Sequence, residues 1–368
     1  MDTVRMGIIG VGNMGTGHAK YILDGAVKNC KLTAVCDLVE AKIKNITDQN
    51  PDVIGYKDYK EMINSGKVDA VIVATEHYVH PEICIYAFEH RLHVISEKPV
   101  GVYCNQVLKM NDAAKKSGKV FSSMFCVRTN PMFAKVRELV QSGEIGAIKR
   151  VNWIATDWYR PQFYHDSAKW RSSWKGEGGG VLVNQSPHNL DMIQWIFGMP
   201  ESVTSFVSYG KYYNIEVEDE ATAYLKYKDF SCLYIASTGE APGTNRIEIA
   251  GDNGRIVVEN GKILFNKNEM SEREFNRINK SLMPVLSHTD IDVPFGECGN
   301  IHASITQNFV NAILNGEELI APGLNGLNEV TLSNAIHLSS WTNETVTLPM
   351  DNDKFEKLLS QKISGGNK

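Results

Sequence analysis

Several marks of common protein classes are missing from this sequence. No apolar run approaches the length that crosses a bilayer, so no membrane-spanning helix is expected. Positive charge is not in excess: 38 Lys and Arg stand against 43 Asp and Glu, a formal net charge of −5. Nucleic acid and anionic membrane surfaces are therefore not expected partners. The first residues, MDTVRMGIIG, have no charged start leading into an apolar signal core. No CxxC pair occurs, and the 7 cysteines are an odd number. Several lie inside apolar runs, as Cys36 does in LTAVCD, so reduced, mostly buried thiols are expected rather than disulfides. No Cys/His cluster has ligand spacing, and no metal is expected. These readings point to the cytoplasm. Repeats and low-complexity linkers are also missing, and only the terminal SGGNK is expected to fray.

What is present divides the chain in two. A length of 368 residues accommodates two domains. The first third alternates short β-branched runs (VRMGII, LTAVC, VDAVIVA, LHVIS, KVFSSMF) with helical patterns such as HAKYILDGAV and NQVLKMNDAAKKSG. That alternation predicts a parallel, doubly wound sheet with crossover helices. After Asn130 longer alternating strands take over, among them AIKRVNWIATDWY and NRIEIAGDNGRIVVENGKILFN. Period-2 alternation with Asn-Gly turns predicts a large open antiparallel sheet in an α+β domain. The expected boundaries are 1–127 and 128–368.

Gly10-Val11-Gly12-Asn13-Met14-Gly15 follows an apolar strand and opens a helix, and Asp37 ends the next strand. This is the context a dinucleotide fingerprint requires. Gly10 permits the tight turn, Gly12 lets backbone approach a pyrophosphate, and Gly15 allows close helix–strand packing. The helix N-terminus offers N–H groups and a positive dipole end to phosphates. Asp37 can accept from both ribose hydroxyls. No Arg or Lys follows it in Asp37-Leu38-Val39-Glu40, which favours NAD over NADP. Glu97-Lys98-Pro99 stands at the C-terminal end of a later strand, the edge where such sheets bind ligands. Lys98 there is either a ligand contact or a solvated lysine in a strand-ending turn.

GVGNMG, Asp37, ATEHYVHPE (74–82), SEKPVG and GGGVLVNQSPHNLD, in this order and spacing, resemble the glucose–fructose oxidoreductase, inositol dehydrogenase and rhizopine catabolism protein family, Gfo/Idh/MocA. The resemblance covers nearly the whole chain and implies an N-terminal Rossmann domain. It implies Thr75, His77, Glu97 and Lys98 at the cofactor, which joins Gly10, Gly12, Asn13, Met14, Gly15 and Asp37 as NAD-binding candidates. It further implies that Lys98 holds the reacting hydroxyl and that His188 accepts its proton while hydride leaves for the nicotinamide, a role that suits imidazole. Two departures stand out. Asn184 occupies a position that is aspartate in many members, so an amide that cannot take a proton lies four residues before His188. Ser186 replaces a common glycine. Asp191 either orients the imidazole, binds a hydroxyl or serves structure, and His188 itself can be read as a core histidine.

DWYRPQFYHDSAKWRSSW, residues 157–174, combines aromatic faces with hydrogen-bonding groups, as a polyhydroxylated ring requires. Tyr159, Arg160, His165 and Trp174, with Arg128, Asn184, Lys98, His188 and Asp191, are the expected substrate contacts. The expected function is NAD-dependent oxidation of a sugar, a glycoside (C3 included) or an inositol, with NAD either exchanging or tightly bound. Homodimer or homotetramer formation through the second-domain sheet is implied by the resemblance. Two alternatives stay open: a glycosidase or lyase that oxidises its substrate transiently, for which Tyr159, Tyr164 or His165 would supply a base, and a non-catalytic NAD sensor.

Overall fold

The computed structural model describes residues 2–365; the last three residues of the SGGNK tail lie outside them. The chain forms two compact units, one of residues 1–129, 176–178 and 298–331, the other of 130–175, 179–297 and 332–368. The sequence reading sets a single boundary after 127; the chain returns to the first unit twice beyond it.

The first unit holds six strands: β1 (Val4–Ile9), β2 (Cys30–Cys36), β3 (Ile54–Tyr56), β4 (Ala70–Val73), β5 (His93–Ser96) and β6 (Phe121–Ser123). All pair in parallel, in the order β3-β2-β1-β4-β5-β6. Alternate side chains enter two separate cores. Met6, Ile8, Val35, Ile72 and Ile95 join one; Ile9, Ala34, Cys36, Val71, Val73 and Val94 join the other. A strand buried on both faces must be apolar throughout, which explains the continuous runs. One face is covered by helices Asn13–Leu23 and Ile301–Asn315, through Ala19, Ile22, Ile305 and Phe309. The other is covered by His80–Glu89 and Cys104–Ser117, through Ile83, Phe88, Val107 and Met110. The strand order reverses between β1 and β4, the switch point beyond whose carboxyl ends open α/β sheets bind their ligands.

The second unit holds β7 (Ile148–Ala155), β8 (Ser202–Tyr209), β9 (Glu218–Lys226), β10 (Ser231–Ser237), β11 (Asn245–Gly251), β12 (Gly254–Glu259), β13 (Lys262–Asn268), β14 (His288–Asp292) and β15 (Val346–Thr347). They make one nine-stranded sheet, β14-β13-β12-β11-β7-β10-β9-β8-β15. The sheet is mixed rather than wholly antiparallel, because β7 and β10 run parallel. The chain between those two strands includes the helix Pro187–Phe197 and the β8–β9 hairpin, a crossover long enough for parallel pairing. One face is buried by Val151, Trp153, Ala155, Ala221, Ala223, Leu225, Cys232 and Tyr234, while Phe206 and Tyr224 stay exposed. Among the described residues no helix is long and apolar enough to cross a membrane.

Candidate functional site

In the first unit the sheet order lines up the cofactor candidates along one edge. Strands β2, β1, β4 and β5 are neighbours, and just beyond their carboxyl ends stand Asp37, Gly10, Thr75, and Glu97 with Lys98. Gly10 has φ of 89°, and a Cβ on it would lie 2.5 Å from the Ala74 carbonyl oxygen. A Cβ on Gly15 would lie 1.8 Å from the Gly10 carbonyl oxygen, whereas one on Gly12 would meet nothing within 4 Å. The three glycines thus divide their work as the fingerprint demands: turn, close packing, and open space for a pyrophosphate. Gly12 is also the N-cap of helix Asn13–Leu23, with no side chain capping the helix, and Asn13 and Met14 are exposed beside it. Beside Gly10, the Thr75 hydroxyl is buried with no hydrogen-bond partner among the described residues. Free helix-end donors, open space at Gly12 and an orphaned hydroxyl all fit a dinucleotide.

Asp37 is held firmly. Its Oδ2 accepts from the Val11 N–H at 3.0 Å and its Oδ1 from the Val39 N–H at 2.9 Å. Lys42 Nζ lies 3.7 Å from Oδ2, a cation that the residues directly after Asp37 do not announce. The Thr75 loop and the Lys98–Pro99 turn are tied together by His80, whose ring nitrogens lie 2.9 Å from the Pro99 carbonyl oxygen and 3.0 Å from that of Thr75. Sequence reasoning chose its neighbour His77, which is buried against the Glu177 carbonyl oxygen at 3.0 Å. The Lys98–Pro99 peptide is cis.

Glu97 is buried and bridges two partners. One oxygen lies 2.7 Å from His18 Nε2, and the other accepts from the Lys98 N–H at 3.1 Å. His18 Nδ1 continues to Tyr21 Oη at 2.8 Å, and Tyr21 to Thr306 Oγ1 at 2.7 Å. Burial raises the Glu97 carboxyl, but the His18 hydrogen bond and charge prevail and hold it down at about 2. Burial likewise draws the Lys98 ammonium below its ordinary value, opposed by Glu97 and, more weakly, by Glu329 and Glu177. Arg128 is interior to this unit. Its Nη1 donates to the Ile320 carbonyl and to Asn325 Oδ1, both at 3.1 Å.

In the second unit the glycine run leads into a π turn, Val181–Gln185, and then the helix Pro187–Phe197. The Ser186 N–H donates to the Val181 carbonyl at 2.8 Å, the wider i→i+5 spacing that often marks functional sites. Glu218 anchors this turn: Oε1 accepts from the Gly180 N–H at 2.7 Å and the Leu182 N–H at 2.9 Å. A Cβ on Gly180 would lie 2.0 Å from the Glu218 carbonyl oxygen, so the strand start and the turn require glycine at their contact. Ser186 accepts from Tyr234 Oη at 2.8 Å, which gives that departure a structural reason. Between Val181 and Gln194 every residue is buried except Asn184 and His188. His188 and the amide four residues before it are the two partly exposed side chains of this stretch.

The substrate loop divides. Tyr159 is 47% exposed, and Arg160 is half-buried with its guanidinium over Trp158 and Tyr164. Three other expected contacts of this unit lie inside it. His165 is buried, with Nδ1 2.7 Å from Ser172 Oγ, and its burial lowers its pKa. Trp174 is packed among Tyr209, His337 and Trp341. Asp191 is fully buried and accepts from Gln194 Nε2 at 2.8 Å. Arg128 is buried like these three. Sequence reasoning passed over Glu218, since an acid in an alternating strand reads as a solvated position, and over His18 and His80, whose partners are distant or backbone. Among the described residues no group of three His, Cys, Asp or Glu could hold a metal ion.

Comparison with known proteins adds an independent line. Residues 4–125 match the family model for the NAD-binding Rossmann fold of the GFO/IDH/MocA oxidoreductases, and residues 133–257 match the GFO/IDH/MocA C-terminal domain. The chain is 27% identical to the myo-inositol 2-dehydrogenase of Thermotoga maritima over 270 residues, 70% of this chain and 75% of that one. It is 29% identical to the 2,7-anhydro-N-acetylneuraminate hydratase of Escherichia coli over 202 residues, 55% of this chain and 52% of that one. Among solved structures, the WlbA dehydrogenase of Chromobacterium violaceum, in complex with NADH and UDP-GlcNAcA, superposes with a TM-score of 0.80 at 25% identity, covering 95% of this chain and 97% of that one. With both family models matched in sequence order and the six-stranded and nine-stranded sheets in place, the chain belongs to the Gfo/Idh/MocA family of NAD-binding Rossmann oxidoreductases, related to the inositol dehydrogenases.

Proposed function

We propose that this protein is an NAD-dependent dehydrogenase of a secondary alcohol on a sugar, a glycoside or an inositol. The observation that carries the reading is the partly exposed pair Asn184 and His188 on a segment otherwise buried from Val181 to Gln194. Burying every other side chain while leaving an imidazole and an amide half-exposed is the pattern of a helix that presents chemistry rather than packing. His188 takes the proton of the reacting hydroxyl. Lys98, an ammonium weakened by burial, orients that hydroxyl oxygen and stabilises the negative charge that develops on it. Asn184 hydrogen-bonds a neighbouring hydroxyl. NAD, when bound, supplies the hydride acceptor, and its phosphates are held by the Gly12–Gly15 helix end. Asp37, with two carboxylate oxygens fixed by backbone, favours the free ribose hydroxyls of NAD over a 2′-phosphate. Exposed Tyr159 and Phe163 supply aromatic faces to a sugar ring. The names of the inositol and nucleotide-sugar relatives support a polyhydroxylated substrate. The exposed Phe206 and Tyr224 on the open sheet support pairing with a second copy. The seven free thiols support a reducing, cytoplasmic setting.

Nicotinamide absorbance, followed while the protein and excess NAD meet a panel of inositols, hexoses and aryl glycosides, tests the reading. We expect a signal with one class and none from His188→Ala, which should still bind NAD. Equal turnover by that variant would overturn the assignment of the base.

A further inference from the structure

We propose that His337 is a positioning residue of the reacting site. It keeps the buried Glu218 carboxylate charged inside the second unit, and Glu218 holds the π turn that carries Asn184 and leads into the helix of His188. The inference rests on the dehydrogenase reading above and adds to it what keeps the proton acceptor in place.

The contacts start at the turn. Glu218 is 1% exposed, and its Oε1 accepts both the Gly180 and the Leu182 N–H groups, at 2.7 and 2.9 Å. Asn184 and His188 follow along the same turn and helix. Two N–H groups on one oxygen are held firmly while that oxygen is anionic, since a charged acceptor bonds about twice as strongly as a neutral one. An anion this deep needs a counter-charge, or it takes up a proton or draws in water and becomes the weaker acceptor. The basic side chain within ion-pair reach of Glu218 is His337, whose Nε2 lies 3.5 Å from the same Oε1.

His337 stands on the helix Gly326–Thr342, whose residues from Leu332 onward belong to the second unit. It is 1% exposed and sits in an aromatic box. Its ring is stacked on those of Trp341 and Tyr209, with centroids 5.3 and 6.5 Å away, and meets the edge of Trp174 at 5.5 Å. Phenylalanine would fill such a box without burying a polar atom. Imidazole buries two nitrogens, and neither has a hydrogen-bond partner among the described residues. An uncompensated buried polar group costs stability; here the charge of Glu218 offsets it. Aromatic faces on two sides also favour a cation between them. Lys362 works the other way, with Nζ 5.4 Å from the centroids of both Tyr209 and Trp341. A proton on the imidazole leaves the pair with Glu218 neutral overall, and the carboxylate keeps its charge where the turn uses it. His337 thus acts on the reacting site through Glu218, at the N–H groups from which the turn is hung.

Two measurements test this, the first without any ligand. Amide hydrogen exchange at Gly180 and Leu182, read by mass spectrometry of peptides covering residues 179–186, reports the hold of Glu218 on the turn. His337→Phe keeps the stacking and removes the charge, and exchange at these two amides should rise about tenfold. Glu218→Gln keeps a carbonyl oxygen for both N–H groups and has no charge to balance, so adding His337→Phe to it should raise exchange less than about twofold further. Such non-additivity marks residues that act as a pair. A His337→Phe chain that folds only together with Glu218→Gln shows the same coupling more strongly; one that folds in neither background overturns the proposal, because packing then accounts for His337. The second measurement uses the alcohol that reduces NAD. In His337→Phe kcat should fall about tenfold while NAD affinity, read by calorimetric titration, stays within about twofold. Exchange unchanged in His337→Phe, or raised equally in both backgrounds, overturns the proposal, and so does an unchanged kcat in a variant whose exchange rises. Failure of the whole alcohol panel to reduce NAD counts against the dehydrogenase reading and leaves the exchange result to decide on His337.

Discussion

Replacing His18 with alanine should weaken the first unit by several kcal/mol and displace Lys98. Glu97 is buried, and its carboxyl is held at about 2 against an ordinary 4.5, chiefly because the His18 hydrogen bond at 2.7 Å and its charge overcome the cost of burial. At about 1.4 kcal/mol per pKa unit that depression is worth roughly 3 kcal/mol. Cutting one partner from a buried pair costs about 3–5 kcal/mol by general experience, so the two figures agree in order. The folded-state pKa of Glu97 is lowered, so its contribution is fully present above the unfolded value near 4.5 and is lost as pH falls toward 2. In His18→Ala the carboxylate is buried without that partner, its pKa rises, and the deficit is largest at neutral pH. The gap between wild type and variant should therefore narrow as pH falls from 7 through 4.5. Scanning calorimetry at several pH values reads this. At about 2–4 °C per kcal/mol for a unit of this size, the first unit's midpoint should drop by roughly 6 °C or more at pH 7. A drop below about 2 °C, or a gap that does not change with pH, would refute the reasoning.

Two further predictions concern the cofactor edge. Gly12→Ala should leave the unfolding midpoint unchanged, because its Cβ meets nothing within 4 Å, yet weaken NAD binding at least about tenfold by filling the pyrophosphate's approach; calorimetric titration with wild-type affinity would contradict it. Gly15→Ala, whose Cβ would lie 1.8 Å from a backbone oxygen, should lower stability by about 1–3 kcal/mol even without cofactor. Asp37→Ala removes the acceptor of the Val11 and Val39 N–H groups and the charge that disfavours a 2′-phosphate. The ratio of NAD to NADP affinity should fall by about tenfold, or 1.4 kcal/mol, and an unchanged ratio would remove Asp37 as the discriminator.

The first sheet is legible in the sequence because strands buried on both faces are written as unbroken apolar runs, and the fingerprint is local, six residues with one fixed consequence for each glycine. The helix Ile301–Asn315 is legible as a helix but not in its address: nothing in its periodicity says that Ile305 and Phe309 cover a sheet built from strands within residues 4–123. The parallel pairing of β7 with β10 is hidden for the same reason, since register between distant strands leaves no local mark. At the candidate site, Lys98, Asn184 and His188 are proposed from motif and spacing. The interior placement of Arg128, His165, Trp174 and Asp191 is not legible there. Residue types that suit a sugar also suit a buried hydrogen bond, and exposure depends on neighbours far along the chain. His80, His18 and Glu218 were invisible for the converse reason, since each acts on backbone or side chains that only folding brings near.

The central claim is hydride transfer with His188 as the proton acceptor. It is tested most directly by one turnover with a substrate deuterated at the reacting carbinol carbon, followed by mass measurement of the nicotinamide. That reading works whether NAD exchanges or stays bound. The account predicts reduced cofactor carrying one deuterium in the wild type, and unlabelled, oxidised cofactor in His188→Ala at equal NAD occupancy. Label transfer undiminished in His188→Ala would contradict it.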